Sequence, residues 1–317
     1  MQSLQCVTSE IVARPVDEDV LSMLLADKRS EATRAAYNYD INRFFCAVSG
    51  RSADPGLMRE FFRLERGQAI SLVLRFKADL IRRGLSEATV NRNLAAIKSL
   101  VSFARRLDRC GWDLADVQGE KVQGYRDTSG VDEIAIKALL KTPNLAKLKG
   151  KRDYAILRLL WENALRRSEV VKCNIGDFDS EGRSLAILGK GRGLSKETIS
   201  LSEKTTAAIN DWLQARGEAE PGDPLFIALD NASRGRRMTG AGVAHIITEA
   251  GKAAGITKTL SPHRIRHSSI TAALEHGADV RAVQKLSRHK NLSTLLLYDD
   301  SRKNYQKEVT NLLSALA

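Results

Sequence analysis

Between residues 86 and 107 apolar side chains return every three or four positions. Val90, Leu94, Ile97, Val101 and Ala104 form one stripe, the pattern of an amphipathic helix with a single buried face. The stripe predicts a helix that opens at the tetrapeptide SEAT, residues 86–89, and the same tetrapeptide at 30–33 predicts a second helix start. In both, the serine suits the N-cap and the glutamate sits where the helix dipole favours an anion. Periodicity lapses over "DVQGEKVQGYRDTSG", residues 116–130, where Gly, Asp, Ser and Lys dominate as in an interdomain segment. The expected organisation is therefore an N-terminal extension over 1–15, a helical domain over 16–115, a linker over 116–130 and a second domain over 131–317. In that second domain the pattern predicts a helix through "RDYAILRLLWENAL", residues 152–165, and a hairpin in "SLAILGKGRGLSKETISLS", residues 184–202. Further helices follow to the end, so the fold class is mainly α with a small β-sheet in the C-terminal domain.

The face of the 86–107 helix opposite its stripe carries Arg92, Ala95, Ser99, Ser102 and Arg106. Such a small, basic face fits a DNA backbone, with Arg92, Ser99 and Arg106 as contacts, and it fits a solvated surface equally well. Composition changes that picture. Fifty Lys and Arg against thirty-eight Asp and Glu leave a formal net charge of +12 on 317 residues, which favours a polyanionic partner such as nucleic acid. A membrane role is not expected, because no long apolar run is present, and the start "MQSLQCVTSEIVARPVDEDV" lacks the order of a signal peptide. A cytoplasmic location is expected instead. Cys6, Cys46, Cys110 and Cys173 are too widely spaced for a C-x-x-C metal or redox motif and read as reduced thiols.

Candidate chemistry concentrates in "SPHRIRHSSI", residues 261–270. His263 and His267 stand four apart, as in a zinc helix, but Arg264 occupies the place of the usual glutamate and Arg266 would face the cation. Those arginines repel a dication and suit a phosphate, whose oxygens accept paired N–H donors from a guanidinium. No metal and no cofactor are expected. The "GKGRG" run at 189–193 fails the phosphate-loop template and leads into an alternating strand, so it reads as a hairpin turn carrying Lys190.

Four segments in order, "ALRRSEV" at 164–170, "LGKG" at 188–191, "HRIRH" at 263–267 and "RHKNLSTLLLY" at 288–298, resemble the tyrosine recombinase family of phage integrases and Xer-type recombinases. The likeness extends into the first domain, where "SEATRAAYNYDINRFF" resembles that family's helical core-binding domain. It implies a two-domain clamp on double-stranded DNA and site-specific strand exchange through a 3′-phosphotyrosyl intermediate and a Holliday junction, without ATP or metal. By this resemblance Tyr298 is the nucleophile, His263 its base, Arg166 and Arg266 the phosphate clamps, His289 a further phosphate ligand and Lys190 the acid for the leaving 5′-oxygen. Glu169 matches an auxiliary acidic position. The implied assembly is a tetramer on DNA, of this chain alone or with a related recombinase, in the nucleoid. A non-catalytic DNA-binding regulator, or relaxation of the type IB topoisomerase kind, would use the same fold.

The chain departs from the family pattern at three places. Ala164 and Arg288 stand where glycine is usual, and Asp299 and Asp300 follow the tyrosine. The lost glycines are expected to disturb local backbone, and Arg288 could offer the phosphate one more contact. Near the C-terminus Val309, Leu312, Leu313 and Leu316 give a short apolar stripe, suited to a neighbouring subunit or to its own domain.

Overall fold

A computed structural model describes residues 19–121, 130–189, 195–289, 291, 295 and 305–316. The chain divides into two compact units, 1–124 and 125–317.

The first unit is helical: α1 (Val20–Asp27), α2 (Glu31–Ser49), α3 (Pro55–Arg63), α4 (Arg66–Arg82) and α5 (Glu87–Arg106). Both SEAT segments open helices, though by different contacts. The Ser30 hydroxyl accepts from the Thr33 N–H at 3.4 Å, whereas the Ser86 hydroxyl lies 3.0 Å from that of Thr89. All five stripe residues of α5 are buried. They meet an aromatic core in which Phe44, Phe45, Phe61, Phe76 and Trp112 pack edge to face, Phe44 and Phe61 with ring centroids 5.2 Å apart. Each such pair contributes about 0.5–1.5 kcal/mol beyond its area. The segment from 116 to 121, where periodicity fades, is held to this unit. Val117 is buried, the Asn91 amide donates to Glu120 O at 2.8 Å, and Lys77 pairs with the Glu120 carboxylate at 2.6 Å.

The second unit forms around α7 (Leu148–Glu162), with α6 (Glu133–Leu140), α8 (Arg167–Lys172), α9 (Glu203–Arg216), α10 (Gly240–Ala253), α11 (Pro262–Glu275) and α12 (Val280–Ser287). A last helix, α13, spans Tyr305–Leu316. Ala155, Ile156, Leu157, Leu159 and Leu160 of α7 are all buried, so this helix is covered on nearly every side. It ends at Glu162, three residues before the apolar pattern does, because Ala164 takes φ +45°, outside any right-handed helix. The expected hairpin is present as β2 (Ser184–Leu188) and β3 (Lys196–Ser200), paired antiparallel with Leu188 opposite Lys196; β1 (Phe178–Asp179) completes a sheet of order β1-β2-β3. Leu185 and Ile187 point into the core from β2, alternating with half-buried neighbours.

The start of this unit is pinned to α11. Val131 N–H donates to Ser268 Oγ at 2.7 Å, and Gly130 lies so close that a Cβ there would stand 2.2 Å from the same oxygen. Only glycine fits that approach.

Candidate active site

α11 supplies the centre of the site. Ser261 caps it by accepting from the Arg264 N–H at 3.2 Å, and Pro262 takes the first helical position, where its missing N–H costs nothing. His263 then sits on the exposed face of the first turn, and Arg266, one turn on, points inward and is 2% exposed. The Arg266 guanidinium donates to Ala164 O and Ser287 O, and its Nη2 is 3.3 Å from His289 Nε2. One side chain thus ties α11 to the α7–α8 loop and to the end of α12.

Arg166 comes from that α7–α8 loop, at the N-cap of α8. Glu169, on the first turn of α8, accepts from the Arg166 backbone N–H at 2.8 Å through Oε2 and from its Nη1 at 2.8 Å through Oε1. The carboxylate is fully buried, so this is no ordinary surface ion pair. Oε2 also accepts from Arg288 Nη2 at 3.1 Å.

Arg288 is where the structure corrects an expectation. Its guanidinium is 4% exposed and donates to Asn163 O, Ala164 O and Leu286 O as well as to Glu169, so it is a buried pin and offers no phosphate contact. Nor do the replaced glycines disturb the backbone. Ala164 at φ +45° and Arg288 at φ +56° both keep the left-handed conformation that glycine would adopt without strain. In return the Ala164 methyl is buried against Ile270, Val283 and Leu295, and the Arg288 side chain bridges two loops.

Arg166, Arg167, Ser168, Ser261, His263 and Arg266 line one open pocket of about 390 Å³. Three arginines meet a histidine there, a combination that attracts an oxyanion. Partial desolvation, then the charges of Arg266 and Arg166, press the His263 pKa below its ordinary value. The same causes, with His263 and Arg288 added, lower His289 from 6.5 to about 4. Both imidazoles are therefore neutral near pH 7. With Arg266 donating to its Nε2, His289 carries its proton on Nδ1, 3.1 Å from Ser287 Oγ, and Gln284 holds its carbonyl at 3.1 Å.

This sets a pH dependence. Below about pH 6.5 the unfolded chain protonates this histidine while the folded protein resists until about pH 4, so stability falls as pH drops across that window. Thermal melts between pH 7 and 4.5 should show a steeper acid-side loss in wild type than in His289→Gln. Equal slopes would remove the claim.

Of the other sequence candidates, Lys190 and Tyr298 lie outside the described residues, as does the Asp299–Asp300 pair. His267 is buried, with Nδ1 3.2 Å from Thr271 Oγ1. Among the described residues no group of three His, Cys, Asp or Glu could hold a metal, and no helix is long and apolar enough to cross a membrane. Arg92, Ser99 and Arg106 belong to the first unit. Arg92 pairs with Asp40, Ser99 is half-buried, and Arg106 lies over the Phe103 ring at 4.9 Å from its centroid. Sequence reasoning missed Asp40, Ser287 and the pinning role of Arg288. Asp40 carried a signal, since a carboxylate between Tyr37 and Phe44 falls on the apolar face of α2 and needs a partner there.

The sequence model of the phage integrase family matches residues 129–305, more than half of the chain. A protein of Synechococcus elongatus named as a tyrosine recombinase is 48% identical over 316 residues, covering 99% of each chain. The chain belongs to the phage integrase family of tyrosine recombinases. As a tyrosine recombinase it is an enzyme, and its likeness reaches the Xer group. The XerC tyrosine recombinase of Pelobacter propionicus is 31% identical over 269 residues, covering 85% of this chain and 84% of the other. Among solved structures, the integrase of transposon Tn1549 in complex with transposon right end DNA superposes with a TM-score of 0.65, covering 94% of this chain and 99% of that one at 18% identity. That likeness establishes the shared tyrosine recombinase fold.

Proposed function

We propose that this tyrosine recombinase cleaves and rejoins double-stranded DNA at a specific site through a Tyr298 phosphotyrosyl link. The reading rests above all on Arg166, Arg266 and a neutral His263 around one open pocket. A tyrosine with a pKa near 10 is a weak nucleophile at neutral pH and needs a proton acceptor. His263, held neutral by partial burial and then by the two arginines, is that acceptor.

In the first step Tyr298 Oη bonds to phosphorus as its proton passes to His263, and the bond from phosphorus to the 5′-oxygen breaks. Lys190 protonates the departing oxygen. Arg166 and Arg266 neutralise the non-bridging oxygens as charge builds in the pentacoordinate transition state, with His289 beside them. The phosphotyrosyl bond conserves the energy of the phosphodiester, so rejoining to another 5′-hydroxyl needs no ATP, and two such exchanges pass through a Holliday junction. The net charge of +12 supports DNA as the partner, in the nucleoid. Leu313 and Leu316 of α13 are 60% and 76% exposed, which supports a tetramer on DNA in which this stripe meets a neighbouring subunit, identical or related.

The test is a nicked suicide duplex carrying a site found by footprinting. Cleavage frees a short strand, so the covalent adduct should persist on a denaturing gel, and its DNA-linked peptide should contain Tyr298. A footprint with no adduct would make the protein a non-catalytic DNA-binding regulator. An adduct with supercoil relaxation but no exchange between two sites would make it a relaxing enzyme of the topoisomerase IB kind.

A further inference from the structure

We infer that Arg92 reads a guanine base in the DNA major groove, through a guanidinium fork fixed from behind by buried Asp40. The inference rests on the DNA-cleaving reading and assigns part of its site specificity to the first unit. Asp40 of α2 is fully buried, and its two oxygens accept from Arg92 of α5, Oδ2 from Nε at 2.8 Å and Oδ1 from Nη2 at 3.0 Å. That pairing is side-on. It commits Nε and one Nη2 hydrogen, and it turns the end of the fork, Nη1 with the outer Nη2 hydrogen, away from the carboxylate. The Arg92 side chain is 48% exposed, so this end is presented outward.

The surroundings suit a close approach. Exposed Ala88 and Ala95 lie one turn before and after Arg92 on α5, and neither holds a ligand off the helix surface. Ser99 and Ser102 continue the same stripe. A phosphate contact needs only a cation that can swing, and a free arginine or lysine supplies one. A fork held in one direction by a buried carboxylate matches instead the two adjacent acceptors of guanine, O6 and N7, which require paired donors at fixed spacing. Asp40 is thus a positioning residue, and Arg92 the contact. Arg106, on the same stripe, differs: its guanidinium lies on the Phe103 ring with no carboxylate paired to it among the described residues, the arrangement of a backbone contact.

The experiment selects binding sites from a random duplex library with full-length wild type, Arg92→Lys and the pair Arg92→Gln with Asp40→Asn. Lysine keeps a charge for Asp40 but has no fork; the double variant buries no lone carboxylate, so one of the two stays folded, as a thermal melt verifies. The wild-type consensus should contain a guanine whose preference over other bases drops by about tenfold or more in both variants, with the remaining positions kept. Uniformly weaker binding with an unchanged consensus and a salt slope reduced by about one would make Arg92 a phosphate contact and overturn the inference. An unchanged consensus with unchanged affinity would make the pair structural and also overturn it. The parent reading is scored separately, on wild type alone, by adduct formation on the selected site.

Discussion

Arg266→Ala is expected to lower the single-turnover rate of covalent adduct formation by on the order of 10³-fold or more. An arginine that neutralises a transferring phosphoryl group accounts for about 10³–10⁵ in rate, and a single aimed donor for about 10²–10³. Here the loss is compounded, because the side chain also builds the site before any DNA arrives. Its guanidinium holds Ala164 O and Ser287 O and touches His289, so its removal loosens Arg166 on one side and His289 on the other. The structural part is separable. Ala164 O keeps a second donor in Arg288, at 3.0 Å, whereas Ser287 O loses the one that Arg266 gave it, at a cost of about 1–3 kcal/mol for a buried carbonyl. A chemical denaturation curve reads that loss. Arg266→Lys sharpens the distinction: an ammonium keeps the charge but cannot hold two carbonyls and a phosphate in one plane. It should lose most of the rate with a smaller loss of stability. A rate within a few-fold of wild type for Arg266→Lys would show that the clamp lies elsewhere.

How much of this was legible in the sequence depends on the range of the interaction. The stripe on α5 and the alternation of β2 follow from burial of one face at a fixed period, and both appear as expected. The ordered motifs brought Arg166, His263, Arg266 and His289 into one list, and the structure places the first three around one pocket, with His289 3.3 Å from the Arg266 guanidinium. Where pattern failed, backbone conformation or long-range pairing decided. The apolar run through Leu165 continues past the end of α7 because Leu165 is buried from the loop, and Ala164 at φ +45° stops the helix. Arg288 reads as one more surface cation beside a histidine; nothing local shows that Glu169, 119 positions earlier, waits for it in the core. Asp40 and Arg92, 52 positions apart, are the same case.

Arg288→Ala is expected to be the most destabilising change in the loop before His289, at about 3–5 kcal/mol by chemical denaturation. Removing the cation leaves Oε2 of Glu169, fully buried, with the Arg166 backbone N–H at 2.8 Å but without its second charge. It also leaves alanine in a left-handed backbone, which costs about 1–2 kcal/mol that the arginine had offset with its bonds. Arg288→Gly relieves that strain, so glycine should be the milder of the two by about 1 kcal/mol, although it removes more atoms. If alanine proves as stable as glycine, the φ of +56° does not describe this residue in solution. Adding Glu169→Gln to Arg288→Ala should recover part of the loss, since a neutral amide no longer demands a buried counter-ion. Additive losses would mean that the two residues are uncoupled. The coupling bears on catalysis through Arg166. Its Nη1 is held by the other oxygen of the same carboxylate, and its Nη2 lies 3.3 Å from Arg288 O, so a Glu169 that shifts after losing Arg288 carries the Arg166 guanidinium with it. Arg288→Gly should therefore form the DNA adduct more slowly than wild type even where it is fully folded.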